Sequence, residues 1–262
     1  MGKKHTKVNK AILVCGGYAT RFLPISKAVP KEMLPIGNKP VIHYIVEELT
    51  EAGITDILIL LGRRKESIPN YFDANFELGT VTGDKNLLTS ASSANITFKR
   101  VPMPQGSADA ILHAKSFVGD EPFIIAYGDD VFFEGNATSE LTKDFAKHQK
   151  PVITTFKVLP RHTHSYGIVD AGYKGRAKGI VEKPQSNPPS LQAAVGRYLM
   201  TPEIFKHIEN EFGNPEQICM TKQFNKLASA GDLRYVQTNA RRFDTGNPRG
   251  LYLANKYYFE KG

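Results

Sequence analysis

Short apolar runs alternate with helical segments along the first 160 residues, and this alternation limits the possible folds more than any other feature. The run Ala11–Cys15 leads into two glycines, Val41–Ala52 repeats its apolar residues at helical spacing, and Asp56–Leu61 is again almost wholly apolar. Strands without polar alternation are typical of a parallel sheet that helices cover on both faces. We therefore predict an α/β fold with a Rossmann-like, mixed and mostly parallel sheet flanked by helices.

The same patterns predict the remaining elements. Further strands are expected at Ile96–Val101, Pro122–Tyr127 and Val152–Val158, with helices at Ala108–Val118 and Ser139–Gln149. After Pro160 the chain changes to short strands at Ile168–Asp170, Gly179–Glu182, Ala193–Leu199 and Leu233–Gln237. Helices are expected at Pro202–Glu209, Thr221–Ala230 and around Gly250–Phe259. The polar segment Asp73–Ala94 is predicted to be a long loop or a partly helical insertion.

Composition excludes several classes of protein. The 34 Lys and Arg residues outnumber the 26 Asp and Glu residues, which gives a net charge of +8 and suits an anionic partner. These cations are spread along the chain without a nucleic-acid-binding motif, so we expect no nucleic acid partner. No segment has the ~20 apolar residues of a membrane span, and we expect no membrane association. The two cysteines, Cys15 and Cys219, cannot form a disulfide framework, which fits a reduced, cytoplasmic setting.

Residues that could bind phosphate follow the first strand. Ligands of open α/β sheets bind beyond the carboxyl ends of the strands. Gly16 and Gly17 stand at such an end, where backbone N–H groups can approach a phosphate, and Arg21 adds a fixed positive charge. Lys27 and Lys31 lie in a stiff, proline-rich loop that could surround a polyphosphate. A tight turn and a solvated basic loop explain these residues equally well.

Three later segments with a strand-like pattern are followed by charged residues, which are carboxylates and one lysine. Asp129 follows an apolar strand and is well placed to hold Mg²⁺, which prefers oxygen ligands and substrate phosphates. Asp244 could be a second metal ligand, Glu182 could bind hydroxyl groups, and Lys183 could bind a phosphate. Each of these positions could also be a simple turn.

Taken together and in chain order, these features resemble the sugar-1-phosphate nucleotidylyltransferases, and in particular the bacterial UTP–glucose-1-phosphate uridylyltransferase family. The resemblance runs from Lys10 to about Tyr258. The motifs that carry it are Thr20-Arg21-Phe22-Leu23-Pro24, Pro30-Lys31-Glu32-Met33-Leu34-Pro35, Gly128-Asp129-Asp130, Tyr166-Gly167-Ile168, Val181-Glu182-Lys183-Pro184, Val195-Gly196-Arg197-Tyr198 and Asp244-Thr245-Gly246.

The resemblance implies a single nucleotidyltransferase domain over residues 1–262. Residues 1–160 would bind mainly the nucleotide, and residues 161–262, a small β-rich part with the C-terminal helices, mainly the sugar phosphate. The implied enzyme makes UDP-glucose and pyrophosphate from UTP and glucose 1-phosphate, with Mg²⁺ as its cofactor. A homodimer or homotetramer is the expected assembly.

The resemblance also implies roles for individual residues. The charges of Arg21, Lys31 and Lys183 would be catalytic. Nucleotide contacts are expected from Gly16, Gly17, Glu32, Gln105 and Gly106. Sugar contacts are expected from Gly167, Glu182 and Gly196. The metal ligands would be Asp129 and Asp244.

Two departures from the family pattern leave alternatives open. The family's first loop usually reads A-A-G-L-G-T-R, so Ala19 replaces its second glycine and is strained if that position needs a positive φ. Val101 stands where the family has a glutamine that reads uracil, and Gln105 could substitute for it. The alternatives are a nucleotidylyltransferase with another base or sugar, such as dTTP, and a non-catalytic sugar-nucleotide sensor or regulatory homologue.

Overall fold

The computed structural model describes residues 7–88, 92–101, 106–210 and 219–261. These residues contain thirteen strands and nine α-helices. The strands are β1 (Lys10–Cys15), β2 (Pro35–Ile36), β3 (Lys39–Pro40), β4 (Asp56–Leu61), β5 (Asn95–Arg100), β6 (Phe123–Tyr127), β7 (Asp130–Phe133), β8 (Val152–Lys157), β9 (Gly167–Ala171), β10 (Ala177–Glu182), β11 (Gln192–Met200), β12 (Arg234–Gln237) and β13 (Arg241–Asp244). The helices are α1 (Val41–Glu51), α2 (Ser67–Phe72), α3 (Phe76–Thr82), α4 (Ser107–Leu112), α5 (Lys115–Val118), α6 (Ala137–His148), α7 (Glu203–Glu209), α8 (Met220–Ser229) and α9 (Pro248–Lys261).

The central sheet is mixed, as predicted. Its strand order is β10-β9-β11-β6-β1-β4-β5, and β8 and β12 continue from β11 on a branch. Strands β6, β1, β4 and β5 are parallel, whereas β11 runs antiparallel to β6, β8 and β9. The carboxyl ends of β1, β4 and β6 therefore meet at one edge of the sheet, with β11 beside them.

Both faces of the sheet are buried, which explains the unbroken apolar runs. Along β1, Leu13 packs in a cluster with Ile45 of α1, while its neighbour Ile12 packs on the opposite face with Phe205 of α7. Helix α1 presents one apolar face because its buried residues recur at helical spacing, and Gly53, with a φ of +89°, follows its end. A strand of this kind has no solvent-facing side that would need polar residues.

Most predicted elements are present within one or two residues of the expected bounds. The helix predicted at Ala108–Val118 is wrong as a single element, because the chain turns between α4 and α5, where the Ala114 N–H donates to the Ile111 carbonyl in a tight i→i+3 bond. The predicted insertion Asp73–Ala94 is partly helical, since it holds α3 and a short 3₁₀ turn.

Two small β-structures were not predicted, and both reach the edge where the first strands end. Strand β7 pairs antiparallel with β13, with Asp130 opposite Asp244. Strands β2 and β3 form a hairpin that helix α9 fastens: the Asn255 side chain donates to the Pro35 carbonyl and accepts from the Gly37 N–H. The end of the chain therefore supports loops that belong to its beginning.

None of the described helices is both long enough and apolar enough to cross a lipid bilayer.

Candidate active site

A cleft of about 290 Å³ lies at the glycine-rich loop that follows β1. Gly16 and Gly17 line it, as the sequence predicts, together with Lys27. Arg21 lies in the 3₁₀ turn that follows and does not line the cleft, but its side chain is exposed and has no ion pair or hydrogen bond with the described residues. The loop therefore offers backbone N–H groups and a free guanidinium to an anion.

Three consecutive cations of this cleft were missed by the sequence reasoning. Arg63, Arg64 and Lys65 follow Gly62 at the carboxyl end of β4 and line the same cleft. The available signal was a run of three positive charges directly after a predicted buried strand. Their presence makes the cleft strongly electropositive, as a polyphosphate site requires.

Glu32 lies behind this cleft and does not face it. Its side chain is fully buried, and its Oε2 accepts from the Lys65 ammonium at 2.5 Å. Burial raises the pKa of Glu32, and the positive charge of Lys65 opposes that rise. Glu32 holds Lys65, which lines the cleft, and a direct contact of Glu32 with the nucleoside stays a prediction.

Two predicted metal ligands, Asp129 and Asp244, converge although they are far apart in the chain. A Cβ atom on Gly246 would lie 2.6 Å from Asp129 Oδ2 and 3.0 Å from Asp244 Oδ1. Only a glycine leaves room for both carboxylates there. The Thr245 N–H and hydroxyl donate to the Asp129 carbonyl at 2.8 and 2.9 Å, which fixes the two segments together.

Lys31 forms an ion pair with Asp129 at this point. Burial alone would lower the pKa of Lys31, but the charge of Asp129 outweighs it and the pKa is raised. Lys31 therefore remains protonated and can neutralise a phosphate. Cys15 lies nearby and is inert by contrast, because burial raises the pKa of its thiol.

The described residues offer Mg²⁺ two carboxylates rather than a full protein cage. No group of three or more His, Cys, Asp and Glu side chains in the described ranges is arranged to hold a metal ion. Mg²⁺ is commonly held by one or two carboxylates, with substrate phosphates and water as its other ligands. The carboxylates of Asp129 and Asp244, which converge beside Gly246, fit that ion.

A second cleft, of about 670 Å³, lies on the β-rich side. Gly167 and Glu182 line it, as predicted, and Glu182 Oε2 accepts from the Thr221 hydroxyl at 2.9 Å. Lys183 follows Glu182 with a φ of +45°, and its exposed ammonium lies 3.8 Å from Glu182 Oε1. Lys183 does not itself line the cleft, but its backbone N–H donates at 3.0 Å to the carbonyl of Tyr166, which does.

Three other predicted contacts are placed differently or less fully. Gly196 is buried, and its N–H donates to Asp130 Oδ2 at 3.2 Å, whereas its contact with the sugar stays a prediction. Gly106 is exposed directly before α4, and Gln105 lies outside the described residues. Val101 is buried with Ala108 in the core, so its side chain does not face a ligand.

Ala19 adopts the left-handed conformation that the family's glycine suggests, with φ of 53° and ψ of 41°. This conformation costs a residue with a Cβ about 1–2 kcal/mol. Ala19→Gly removes that cost but loosens the unfolded chain by about 0.4–1 kcal/mol. We expect a net gain that raises the melting temperature by about 1–3 °C.

Ala28→Gly is the matched control, because Ala28 has right-handed helical angles and should gain nothing from glycine. Thermal unfolding of the two variants beside the wild type tests this expectation. A fall in melting temperature for Ala19→Gly that equals the fall for Ala28→Gly would show that Ala19 is not strained.

Comparison with known proteins agrees with this geometry. The profile of the nucleotidyl transferase family matches residues 10–261. A UTP–glucose-1-phosphate uridylyltransferase of Streptococcus pyogenes serotype M3 is 39% identical over an alignment of 266 positions, gaps included. The alignment covers 94% of this chain and 87% of the relative.

Solved structures are similar over nearly the whole chain. A UDP-glucose pyrophosphorylase complexed with UDP-glucose is 30% identical with a TM-score of 0.87, covering 98% of this chain and 100% of that one. A UTP-bound UDP-glucose pyrophosphorylase of Acinetobacter baumannii is 31% identical with a TM-score of 0.89, covering 98% and 95%. The chain therefore belongs to the nucleotidyl transferase family, in its UTP–glucose-1-phosphate uridylyltransferase branch.

Proposed function

We propose that this chain transfers a uridylyl group from UTP to glucose 1-phosphate and releases pyrophosphate. One arrangement carries the proposal. Asp129 follows β6, which lies in the sheet between β1, with its cationic cleft, and β11, beside the second cleft. Asp129, Asp244 and Lys31 thus stand where a nucleotide in the first cleft and a sugar phosphate in the second would meet.

The reaction needs charge neutralisation more than acid–base chemistry. A phosphate oxygen of glucose 1-phosphate is already an anionic nucleophile, and it bonds to the α-phosphorus of UTP as the bond to pyrophosphate breaks. The obstacle is to bring two polyanions together in line. Positioning and preorganised positive charge are the means that lower such a barrier.

On the nucleotide side, the free guanidinium of Arg21 would bind the β- and γ-phosphates, where negative charge grows as pyrophosphate leaves. Lys31 would bridge the triphosphate, because it is protonated and already anchored on Asp129. Lys65 adds a third cation, which the buried Glu32 carboxylate keeps in place.

Asp129 and Asp244 would hold Mg²⁺, which when bound supplies a compact charge that neutralises the phosphates of both substrates. On the sugar side, the Glu182 carboxylate would accept hydrogen bonds from sugar hydroxyls. Lys183 would neutralise the attacking phosphate, since its ammonium is exposed and it directly follows Glu182, which lines that cleft. The homodimer or homotetramer implied by the resemblance remains a prediction.

A matrix of nucleoside triphosphates against sugar 1-phosphates, read by pyrophosphate release, tests the proposal. We expect the fastest release from UTP with glucose 1-phosphate in the presence of Mg²⁺. If pyrophosphate is released only with a different nucleoside triphosphate or sugar 1-phosphate, the protein is a nucleotidylyltransferase with other substrates. Binding of UDP-glucose without any turnover would instead favour a sugar-nucleotide sensor.

The base preference should be broader than the name of the branch suggests. A site built to hydrogen-bond a base rejects analogues strongly, because a mismatch leaves buried polar groups unpaired. Here Val101 is only 2% exposed and has no polar side-chain atom, so no side chain at this position can hydrogen-bond the base. We expect both UTP and dTTP to be used, with kcat/KM values less than ~10³-fold apart. A larger ratio would show that another group reads the base.

A further inference from the structure

Asp130, the neighbour of Asp129, has a buried carboxylate for which the proposed mechanism has no use. Arg242 donates from Nε to Asp130 Oδ1 at 2.7 Å, and its Nη2 lies 2.5 Å from the same oxygen. The other oxygen, Oδ2, accepts from the Gly196 N–H. Arg197 Nη2 donates to the Asp130 backbone carbonyl at 3.2 Å and to Glu48 at 2.5 Å. Two arginines therefore hold one aspartate, by its side chain and by its backbone.

Glycine at position 196 is required by this arrangement. A Cβ atom there would lie 2.9 Å from Asp130 Oδ2 and 2.5 Å from the Tyr127 ring. The pairing of β11 with β8 is irregular between Val195 and Tyr198, and such a bulge redirects side chains. Gly196 and Arg197 are thus turned towards Asp130.

Arg242 also reaches the sugar side of the site. Its guanidinium carbon lies 5.1 Å from the centre of the Phe156 ring and 5.7 Å from that of Tyr166. The Tyr166 carbonyl accepts the Lys183 N–H, and Gly167 lines the second cleft. Arg242 itself lies in β13, two residues before Asp244. One side chain thereby contacts the immediate supports of Asp129, Asp244 and Lys183.

We infer that Arg242 and Asp130 are positioning residues for the transfer reaction, and this inference rests on the proposed function. Their ion pair fixes β7, which begins directly after Asp129, to β13, which carries Asp244. The same guanidinium packs on the ring of Tyr166, whose carbonyl accepts the Lys183 N–H. The spacing between the nucleotide phosphates and the attacking phosphate depends on that alignment. In reactions of this kind, a displacement of about 1 Å costs up to ~10²-fold in rate.

A second ion pair of the same composition allows a matched comparison. Arg234 donates from Nε and Nη2 to the two oxygens of Asp144 at 2.7 and 2.9 Å, and it joins β12 to α6. The two arginine side chains are equally exposed, at 11% each. Neither Arg234 nor Asp144 lines a described cleft. If both ion pairs are purely structural, replacing either arginine should therefore change stability and kinetics to the same extent.

The test replaces each arginine by lysine, which keeps the charge but loses the planar fork. Arg242→Lys and Arg234→Lys are compared by melting temperature, by kcat and by the KM of UTP and of glucose 1-phosphate at saturating Mg²⁺. We expect similar falls in melting temperature for the two variants. We expect kcat to fall on the order of 10-fold or more in Arg242→Lys only, with both KM values nearly unchanged.

A milder variant covers the case in which Arg242→Lys does not fold. Phe156→Leu removes one ring beside the guanidinium, leaves the ion pair intact and lies outside the described clefts. It should lower kcat several-fold without changing either KM. If kcat of Arg242→Lys or of Phe156→Leu equals that of Arg234→Lys, the positioning role is overturned and the proposed function is unaffected. A wild-type protein without turnover would contradict the proposed function and, with it, the positioning role.

Discussion

Replacing Asp129 by Asn is expected to lower kcat by about 10²-fold or more. The change removes the charge that anchors Lys31 and that, with Asp244, would hold Mg²⁺. The shape of the side chain is kept, and the two hydrogen bonds from Thr245 end on the backbone carbonyl, so the fold should survive. The measurement is kcat as a function of Mg²⁺ concentration, with circular dichroism to verify folding.

Asp232→Asn provides the control for this experiment. Asp232 also pairs with a lysine, Lys150, at 2.9 Å, but it lies outside both clefts. Its replacement should leave turnover at the wild-type value. Near wild-type turnover of Asp129→Asn at limiting Mg²⁺ would refute the assignment of Asp129 as a metal ligand.

Lys183→Ala is expected to reduce kcat/KM for glucose 1-phosphate on the order of 10²-fold. The KM of UTP should change by less than about 3-fold, because in this arrangement only the attacking phosphate is near Lys183. The separation of the two substrates is the diagnostic result. Steady-state kinetics with each substrate varied in turn measures it.

Lys174→Ala is the matched control, since Lys174 is also a lysine with a positive φ, 53° against 45° for Lys183. It lies beside Tyr173, away from both clefts. The two variants place alanine in the same backbone conformation and differ in their distance from the proposed site. Equal losses for UTP and glucose 1-phosphate in Lys183→Ala would mean that Lys183 is misassigned.

The parts of this fold that are predictable from sequence are those in which local pattern and burial agree. Strand β4 was predicted with its observed bounds, because a strand buried on both faces is apolar throughout. Strand β7 was not, since it has four residues, begins with an aspartate and follows another aspartate. Among the described strands it pairs with β13 alone, which lies more than a hundred residues later, and no local pattern indicates such a pairing.

The candidate site divides in the same way. Residues at strand ends, such as Gly16 and Asp129, can be proposed from the sequence because the carboxyl edge of a parallel sheet is a known binding position. Gly196 was proposed from the resemblance alone, and no local pattern indicates its hydrogen bond to Asp130, 66 residues earlier in the chain. The ion pair of Glu32 with Lys65 was not predicted, because Lys65 belongs to another loop and only the tertiary structure brings the two charges together.

N-terminal loops of this protein are held by C-terminal segments, β13 and α9, and this affects how the protein folds during synthesis. A domain generally folds as a unit, once the segments that pack together have all been synthesised. Lys31 and Asp129 emerge well before β13, which brings Asp244, and before α9, which secures the hairpin after Lys31. A chain that stops before β13 therefore lacks Asp244 and the Asn255 side chain that holds the hairpin. We expect such a truncated product to lack half of the proposed metal site and to release no pyrophosphate.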